Sequence, residues 1–230
     1  IGGGYSGLVS SIEMALNGHN VTIFEKNNFI GGRSHEMNID KYKFDMGPSW
    51  YWMPEIYETI VERYGESIEY NLTKLDPSYR ILYNDYTIDI PSDKDNIVNL
   101  IKSLSNNNID LLEEMIAIND IKYNYSINEL LWTNVDSFYD LLSLKYLNKY
   151  FLLTDNSFFD YLKYTRNKYI NDIFLWPFIF IGLNPYESSS IHPIYSIISY
   201  SGLFKGTWRL GNGMIDPINQ LVKIVKKHNV

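Results

Sequence analysis

Three glycines at the start of the chain constrain its fold more than any other feature. Gly2, Gly4 and Gly7 have the Gly-x-Gly-x-x-Gly spacing, which lets a backbone turn tightly against the pyrophosphate of a nucleotide. Tyr5 and Ser6 lie where the following helix pattern begins, and a helix N-terminus offers free N–H groups and a positive dipole end to an anion. The pattern predicts a nucleotide-binding turn between a strand and a helix.

The residues after the turn complete one βαβ unit. Apolar residues recur at helical spacing through residues 6–17, Gly18 follows in the C-cap position, and residues 21–24 predict a short buried strand. Glu25 ends that strand and Lys26 follows it, and we expect both residues at the cofactor site. An acid on the order of 20 residues after the turn accepts hydrogen bonds from ribose hydroxyls. We therefore predict an α/β fold that opens with a Rossmann-like βαβ domain.

A second glycine pair follows shortly after the acid. Gly31 and Gly32 are adjacent and precede Arg33, which indicates a second close approach of the backbone to the cofactor. Arg33 would set a cation against the pyrophosphate. The alternative is an ordinary loop with a surface arginine.

The ends of the chain indicate a fragment. Only Ile1 precedes Gly2, whereas strands usually run about five or six residues. Residues 221–230 have the pattern of a helix that leads into a further strand. We expect an internal piece of a longer protein, in which a targeting signal cannot be assessed.

Hairpins and short helices follow the opening unit. Residues 35–45 predict two short strands around Asp40, and residues 79–90 predict a hairpin that turns at Asn84 and Asp85. A helix is expected at 55–64, with Pro54 at its first position.

The remainder is mostly helical. Ser92 is expected to cap a helix that reaches about Leu104, and residues 108–200 have helical spacing, with breaks at 106–108 and 154–156. The glycine-rich segment 202–214 then leads into an amphipathic helix with Pro217 in its first turn. A strand, a glycine-rich turn and a helix indicate a return to the nucleotide domain.

Composition excludes several functions. The net charge of −7 gives no electrostatic support for a nucleic-acid partner. The chain has no cysteine, so disulfides, thiolate metal sites and a cysteine nucleophile are excluded. Its four histidines are dispersed and show no metal-ligand spacing, so we predict no metal site. No catalytic residue stands out.

The most apolar stretch of the sequence is residues 173–183. It is shorter than the roughly 20 residues that cross a bilayer, and Pro177 interrupts it. One interpretation is a buried core helix. The other is the wall of an apolar substrate pocket, including Trp176, Phe178 and Phe180, or a patch that touches a membrane surface.

Three motifs, in this order, resemble the carotenoid desaturase family, flavoproteins that include the bacterial phytoene desaturases. The first is the glycine turn with Glu25 and the Gly-Gly-Arg segment, shared widely with flavin amine oxidases. The second is Phe44-Asp45-Met46-Gly47-Pro48-Ser49, and the third runs from Gly182-Leu183-Asn184-Pro185-Tyr186 through Gly206-Thr207-Trp208 to Gly213-Met214. The resemblance covers almost the whole chain.

The resemblance implies extended FAD and a mostly helical region around a long apolar substrate. Residues 1–75 would be the first part of the FAD-binding domain, 76–204 an inserted helical substrate region with the 79–90 hairpin, and 205–230 the return. The glycine turn, Gly32 and Arg33 would hold the phosphates and Glu25 the ribose. The residues that would lie towards the flavin ring are Gly47, Pro48 and Ser49.

Two departures from the family pattern concern the later segments. The family's second glycine before Met214 is Asn212 here, and its C-terminal Gly-Asp segment for FAD is absent from the sequence. We expect the piece alone to be inactive.

The resemblance implies an FAD-dependent oxidoreductase that desaturates a polyene such as phytoene or a related carotenoid. Two alternatives stay open: another flavin enzyme, a polyene isomerase or amine oxidase, and a non-catalytic nucleotide-binding remnant. We expect an apolar small-molecule substrate, no nucleic-acid partner, and a cytoplasmic or membrane-peripheral location with contact to a membrane surface.

Overall fold

The structure is a computed structural model that describes residues 1–105, 109–134, 152–185, 187 and 191–230. The chain divides into two compact units, Ile1–Leu75 with Thr207–Val230 and, between them in sequence, Asp76–Gly206. The described helices are α1 (Tyr5–Leu16), α2 (Pro54–Arg63), α3 (Lys94–Leu104), α4 (Ile109–Asn128), α5 (Ser157–Thr165), α6 (Lys168–Leu175), α7 (Ser196–Tyr200) and α8 (Ile215–Lys227). The described strands are β1 (Glu36–Ile39), β2 (Tyr42–Asp45), β3 (Leu72–Lys74), β4 (Tyr79–Leu82), β5 (Thr87–Ile90) and β6 (Trp208–Leu210).

The core of the first unit lies between α1 and α8. Leu8 and Ile12 of α1 are buried against Ile218, Leu221 and Ile224 of α8. These residues recur three or four positions apart, so each helix presents one apolar face to the other. This packing fixes α1, and with it the glycine turn that precedes α1.

Two antiparallel strand pairs complete the first unit. β1 and β2 pair from Glu36 with Asp45 to Ile39 with Tyr42, which confirms the two predicted strands. β6 pairs with β3, with Leu72 opposite Leu210. The strand, turn and helix predicted near the end of the chain are therefore present, and the β3–β6 pair joins them to the first unit.

Residues 21–24 form no regular strand, and the prediction of a buried strand there is wrong. The Gly2 N–H donates to the Phe24 carbonyl at 2.8 Å, which aligns the two segments. The Phe24 side chain, however, is 69% exposed. A strand requires successive backbone pairs with a neighbour, and one hydrogen bond does not supply them.

The second unit begins with the predicted hairpin. β4 and β5 pair from Tyr79 with Ile90 to Leu82 with Thr87, and the Tyr83 N–H donates to the Tyr86 carbonyl at 2.9 Å across the turn. The prediction of a hairpin at 79–90 is confirmed. Ile88 and Ile90 are buried while Thr87 and Asp89 are exposed, so one face of β5 packs on the unit's core.

The helix after the hairpin is capped one residue later than predicted. The Asp93 carboxylate accepts hydrogen bonds from the N–H groups of Asp95 and Asn96 at 3.0 and 3.1 Å. Ser92 instead donates its backbone N–H to Asp76. Both residue types cap helices well, and here Asp93 takes the position.

The apolar stretch 173–183 is only partly a core helix. α6 ends at Leu175, and a 3-10 turn spans Trp176–Ile181, because Pro177 lacks the N–H that would continue an α-helix. Phe178 is fully buried, whereas Phe180 is 56% exposed. The core interpretation is correct for the first half of the stretch and wrong for Phe180. The predicted break at 106–108, and Tyr186 of the third motif, lie outside the described residues.

Candidate functional site

The glycine turn is held in shape by contact between its own backbone segments. A Cβ atom added to Gly7 would lie 1.9 Å from the carbonyl oxygen of Gly2. Because of this contact, no side chain larger than a hydrogen atom fits at position 7. Gly4 is the N-cap of α1, so the helix starts directly after the turn. Glycine at 7 is needed for close packing between helix and turn, as the spacing predicts.

The N-terminus of α1 is left open to an anion. No side chain caps it, and its first turn contains no acidic residue. The first amides of a helix have no partner within the helix, and their dipoles sum to a positive end. The first turn of α1 thus presents N–H groups that no side chain caps, which is the arrangement that binds phosphate.

The second glycine segment lies directly against the first. The Gly31 N–H donates to the Gly3 carbonyl at 2.8 Å, and a Cβ on Gly32 would lie 3.4 Å from the Gly4 Cα. Arg33 follows within a 3-10 turn, Gly32–Ser34, and its side chain is exposed. Two chain segments predicted to approach the same phosphates are therefore neighbours in space.

These segments line one open cleft of about 800 Å³. Most of the predicted cofactor residues lie on it: Gly2, Gly4, Tyr5, Ser6, Gly7, Gly31, Gly32, Arg33, Gly47 and Pro48. A vacant space beside the turn is what a dinucleotide site requires. The glycine turn is not buried under side chains.

Glu25 is occupied by backbone donors of the turn. Its carboxylate accepts from the Gly3 N–H at 2.7 Å and from the Asn27 N–H at 2.9 Å. These hydrogen bonds, the one from Gly3 foremost, hold the pKa of Glu25 below its usual value of 4.5. A carboxylate has about four acceptor positions, so capacity remains for a ribose hydroxyl. Neither Glu25 nor the exposed Lys26 lies on the cleft lining.

Ser49 is separated from Gly47 and Pro48. It lines a second cleft of about 440 Å³ in the same unit, together with Asp45, Trp50, Arg209 and Met214. Gly47 rests on the backbone of Arg33, because an added Cβ would lie 2.1 Å from the Arg33 carbonyl oxygen. The chain therefore leaves the first cleft between Pro48 and Ser49.

One wall of the first cleft comes from a residue that has no signal in the sequence. Tyr57 of α2 lines the first cleft, its ring 5.8 Å from that of Tyr5 in an edge-to-face contact. Burial raises the pKa of both hydroxyls, so this wall stays uncharged. Met214 lines both clefts. Tyr57 has the spacing of an ordinary core residue on α2, and only the long-range fold brings it to the glycine turn.

The predicted substrate wall in the second unit is divided. Phe178 packs against Phe158 and Phe159 in the core, with ring centroids 6.1 Å apart in both pairs. Trp176 packs against Tyr79 at 4.4 Å and against Phe180 at 5.0 Å. Of the three predicted wall residues, Phe178 is therefore a core residue and Phe180 a surface residue. Within the described residues, no helix combines the length and hydropathy that a membrane span needs.

Comparisons with known proteins give a family for the start of the chain and relatives for nearly all of it. Residues 1–66 match the family model of the NAD(P)-binding Rossmann-like domain. A carotenoid 3,4-desaturase of Haloarcula japonica is 25% identical over 233 residues, which cover 97% of this chain and 46% of that protein. A phytoene desaturase of Phycomyces blakesleeanus is 27% identical over 237 residues, which cover 97% of this chain and 39% of that protein.

The match to solved structures concerns the fold alone. The PF1083 protein from Pyrococcus furiosus superposes with a TM-score of 0.58 at 15% identity, over 99% of this chain and 48% of that one. The chain spans less than half the length of the curated relatives named above. The resemblance to carotenoid desaturases is confirmed, and the match of residues 1–66 to a Rossmann-like domain fits the predicted α/β fold.

Proposed function

We propose that this chain is part of an FAD-dependent oxidoreductase that desaturates a long apolar polyene such as phytoene or a related carotenoid. The chain would supply the dinucleotide-binding part and some of the substrate region. The observation that carries the proposal is the open cleft at the uncapped N-terminus of α1, lined by both glycine segments. The likeness to desaturases over nearly the whole chain supports the reaction class. FAD is the dinucleotide implied by the same likeness.

The residues of the cleft fit the phosphates of such a cofactor. The amides at the start of α1 offer donors to the pyrophosphate, and Arg33 offers a cation. Within the described residues Arg33 forms no ion pair, so its charge is available to an anion. Glu25 keeps the turn in place through Gly3 while it retains an acceptor position for the ribose.

The chemistry that FAD supplies when bound is two-electron oxidation, here the removal of hydride and proton across one C–C bond. The task of the protein is to bind and orient the substrate and to exclude water. This division of labour explains why no acid–base pair stands out in the sequence.

The test uses the full-length protein that contains this chain. We expect a yellow holoprotein, and we expect phytoene supplied in phospholipid vesicles to gain conjugated double bonds, seen as long-wavelength polyene absorbance. A colourless preparation without flavin would overturn the proposal. A product with unchanged hydrogen content would replace desaturation with isomerisation.

We also propose that the second unit touches a membrane surface through the 3-10 turn after α6. Ile179, Phe180 and Ile181 are consecutive and are 58%, 56% and 42% exposed, and an apolar polyene is itself held in lipid. Replacing Phe180 with serine should reduce flotation of the full-length protein with phosphatidylcholine vesicles. Leu82→Ser, at an even more exposed apolar residue (72%), is the matched control and should leave flotation unchanged; equal effects of the two variants would refute the assignment.

A further inference from the structure

The turn before α8 is hydrogen-bonded to the last residue of the β1–β2 hairpin. The Asp45 carboxylate accepts a hydrogen bond from the Met214 N–H at 2.8 Å, across 169 positions of sequence. Gly213 has φ +100°, and a Cβ there would lie 2.6 Å from the same carboxylate oxygen. The carboxylate is thus in direct contact with the Gly213–Met214 backbone.

A second carboxylate, that of Asp216, forms hydrogen bonds within the same turn. Asp216, in the first turn of α8, accepts from the Asn212 N–H at 2.9 Å and from its side-chain amide at 3.1 Å. Gly211 donates its N–H to the Asn71 carbonyl at 3.1 Å. The Asp216 contacts fix the turn internally and the Asn71 contact holds it beside β3, whereas the bond from Met214 to Asp45 links the turn to the hairpin.

Both ends of this tie reach the wall of the dinucleotide cleft. Met214 lines that cleft. Gly47, two residues after Asp45, lies on the cleft as well and rests on the Arg33 carbonyl. A shift of Asp45 would therefore move two parts of the wall together.

We propose that Asp45 is a positioning residue for the cofactor cleft: by accepting the Met214 N–H, its carboxylate sets Met214 and the Gly47–Pro48 segment at the distance that receives the dinucleotide. The inference rests on the proposed function, because it takes FAD as the ligand of the cleft. Asp45 acts through its neighbours and needs no contact with FAD.

The test measures FAD binding by the full-length protein. Asp45→Ala removes the acceptor and should raise the Kd for FAD about tenfold, which is the effect of losing one hydrogen bond at a charged group. It should also shift the long-wavelength absorbance band of bound flavin at saturating FAD. Asp45→Asn keeps an oxygen that can accept from Met214 and should bind FAD within about twofold of the parent protein. The matched control is Asp40→Gly in the same hairpin, where φ is +51° and glycine fits; it should change neither quantity.

Two results would overturn the inference. The first is an Asp45→Ala protein with unchanged Kd and flavin spectrum. The second is equal loss in Asp45→Asn and Asp45→Ala, because the accepting oxygen would then not be what matters. If Asp45→Ala does not fold, Gly213→Ala tests the same tie, since its Cβ would push the carboxylate off Met214; unaltered FAD binding in that variant refutes it.

A readout without cofactor separates this inference from the proposed function. Hydrogen–deuterium exchange of the Met214 amide should be slow in the flavin-free parent protein and in Asp45→Asn, and should become at least about tenfold faster in Asp45→Ala. If the parent protein binds no FAD, the proposed function fails, and the exchange rate alone decides whether the tie exists.

Discussion

Replacing Gly7 with alanine tests whether the cleft beside α1 binds through bare backbone. The added Cβ would meet the Gly2 carbonyl oxygen at 1.9 Å, and Cβ contacts below 3.0 Å essentially do not occur. The turn and the start of α1 must therefore separate by about 1.1 Å, the difference between these two distances. That displacement is large against the geometric tolerance of a hydrogen bond.

The expected loss follows from the donors that move. If two amides at the helix start no longer reach the phosphates, each lost bond to a charged group contributes about 1.5 kcal/mol or more. The sum of about 3 kcal/mol corresponds to about a 100-fold weaker Kd for FAD. The backbone hydrogen bond from Gly2 to Phe24 should also weaken, because the same segment moves.

The assay is quenching of FAD fluorescence on titration with the flavin-free full-length protein. Gly18→Ala is the matched control: it places alanine at φ +82°, but no atom lies within 4 Å of the added Cβ. This control should lose some stability and keep its FAD affinity. A Gly7→Ala protein that binds FAD within about threefold of the parent would refute the steric reasoning.

Two further substitutions test local contacts. In Glu25→Gln, the side-chain amide cannot accept from both the Gly3 and the Asn27 N–H groups, so the midpoint of thermal unfolding should fall. The pKa of Glu25 is lowered in the folded state. The difference in midpoint from the parent protein should therefore be constant above about pH 4.5 and vanish as the pH falls through the lowered pKa. A difference that grows on acidification would contradict the assigned contacts. Asp93→Ala removes the cap of α3 and should lower the free energy of unfolding by about 1 kcal/mol. Ser92→Ala should change it by less than about 0.5 kcal/mol. Both values are measured by denaturant titration, and a larger loss in Ser92→Ala than in Asp93→Ala would show that Ser92 is the cap.

Features that depend on neighbours in sequence were predictable. The β4–β5 hairpin, the β1–β2 pair and the position of α1 follow from turn residues and apolar spacing, and the structure has all three. The cap of α3 was missed by one residue because Ser92 and Asp93 are both good caps. The residue that caps the helix is Asp93, whose carboxylate accepts from the N–H groups of Asp95 and Asn96.

Features that depend on distant residues were not predictable. Nothing local distinguishes Tyr57 from a core residue of α2, and nothing near Asp45 indicates that its partner is Met214. The resemblance groups Ser49 with Gly47 and Pro48 near the cofactor, but Ser49 lines the second cleft. For the glycine turn the opposite holds, because the reason for glycine at position 7 is contact with Gly2, only five residues away.

The departure at Asn212 shows how the backbone decides what a family pattern requires. The resemblance implies glycine at this position, but the φ angle of Asn212 is not positive, so its backbone conformation does not demand glycine. Its side chain adds a hydrogen bond to Asp216 that a glycine cannot make. Gly213, by contrast, combines φ +100° with the Asp45 carboxylate 2.6 Å from an added Cβ. The requirement for glycine in this turn therefore lies at position 213, and asparagine at 212 strengthens the segment that Asp45 holds.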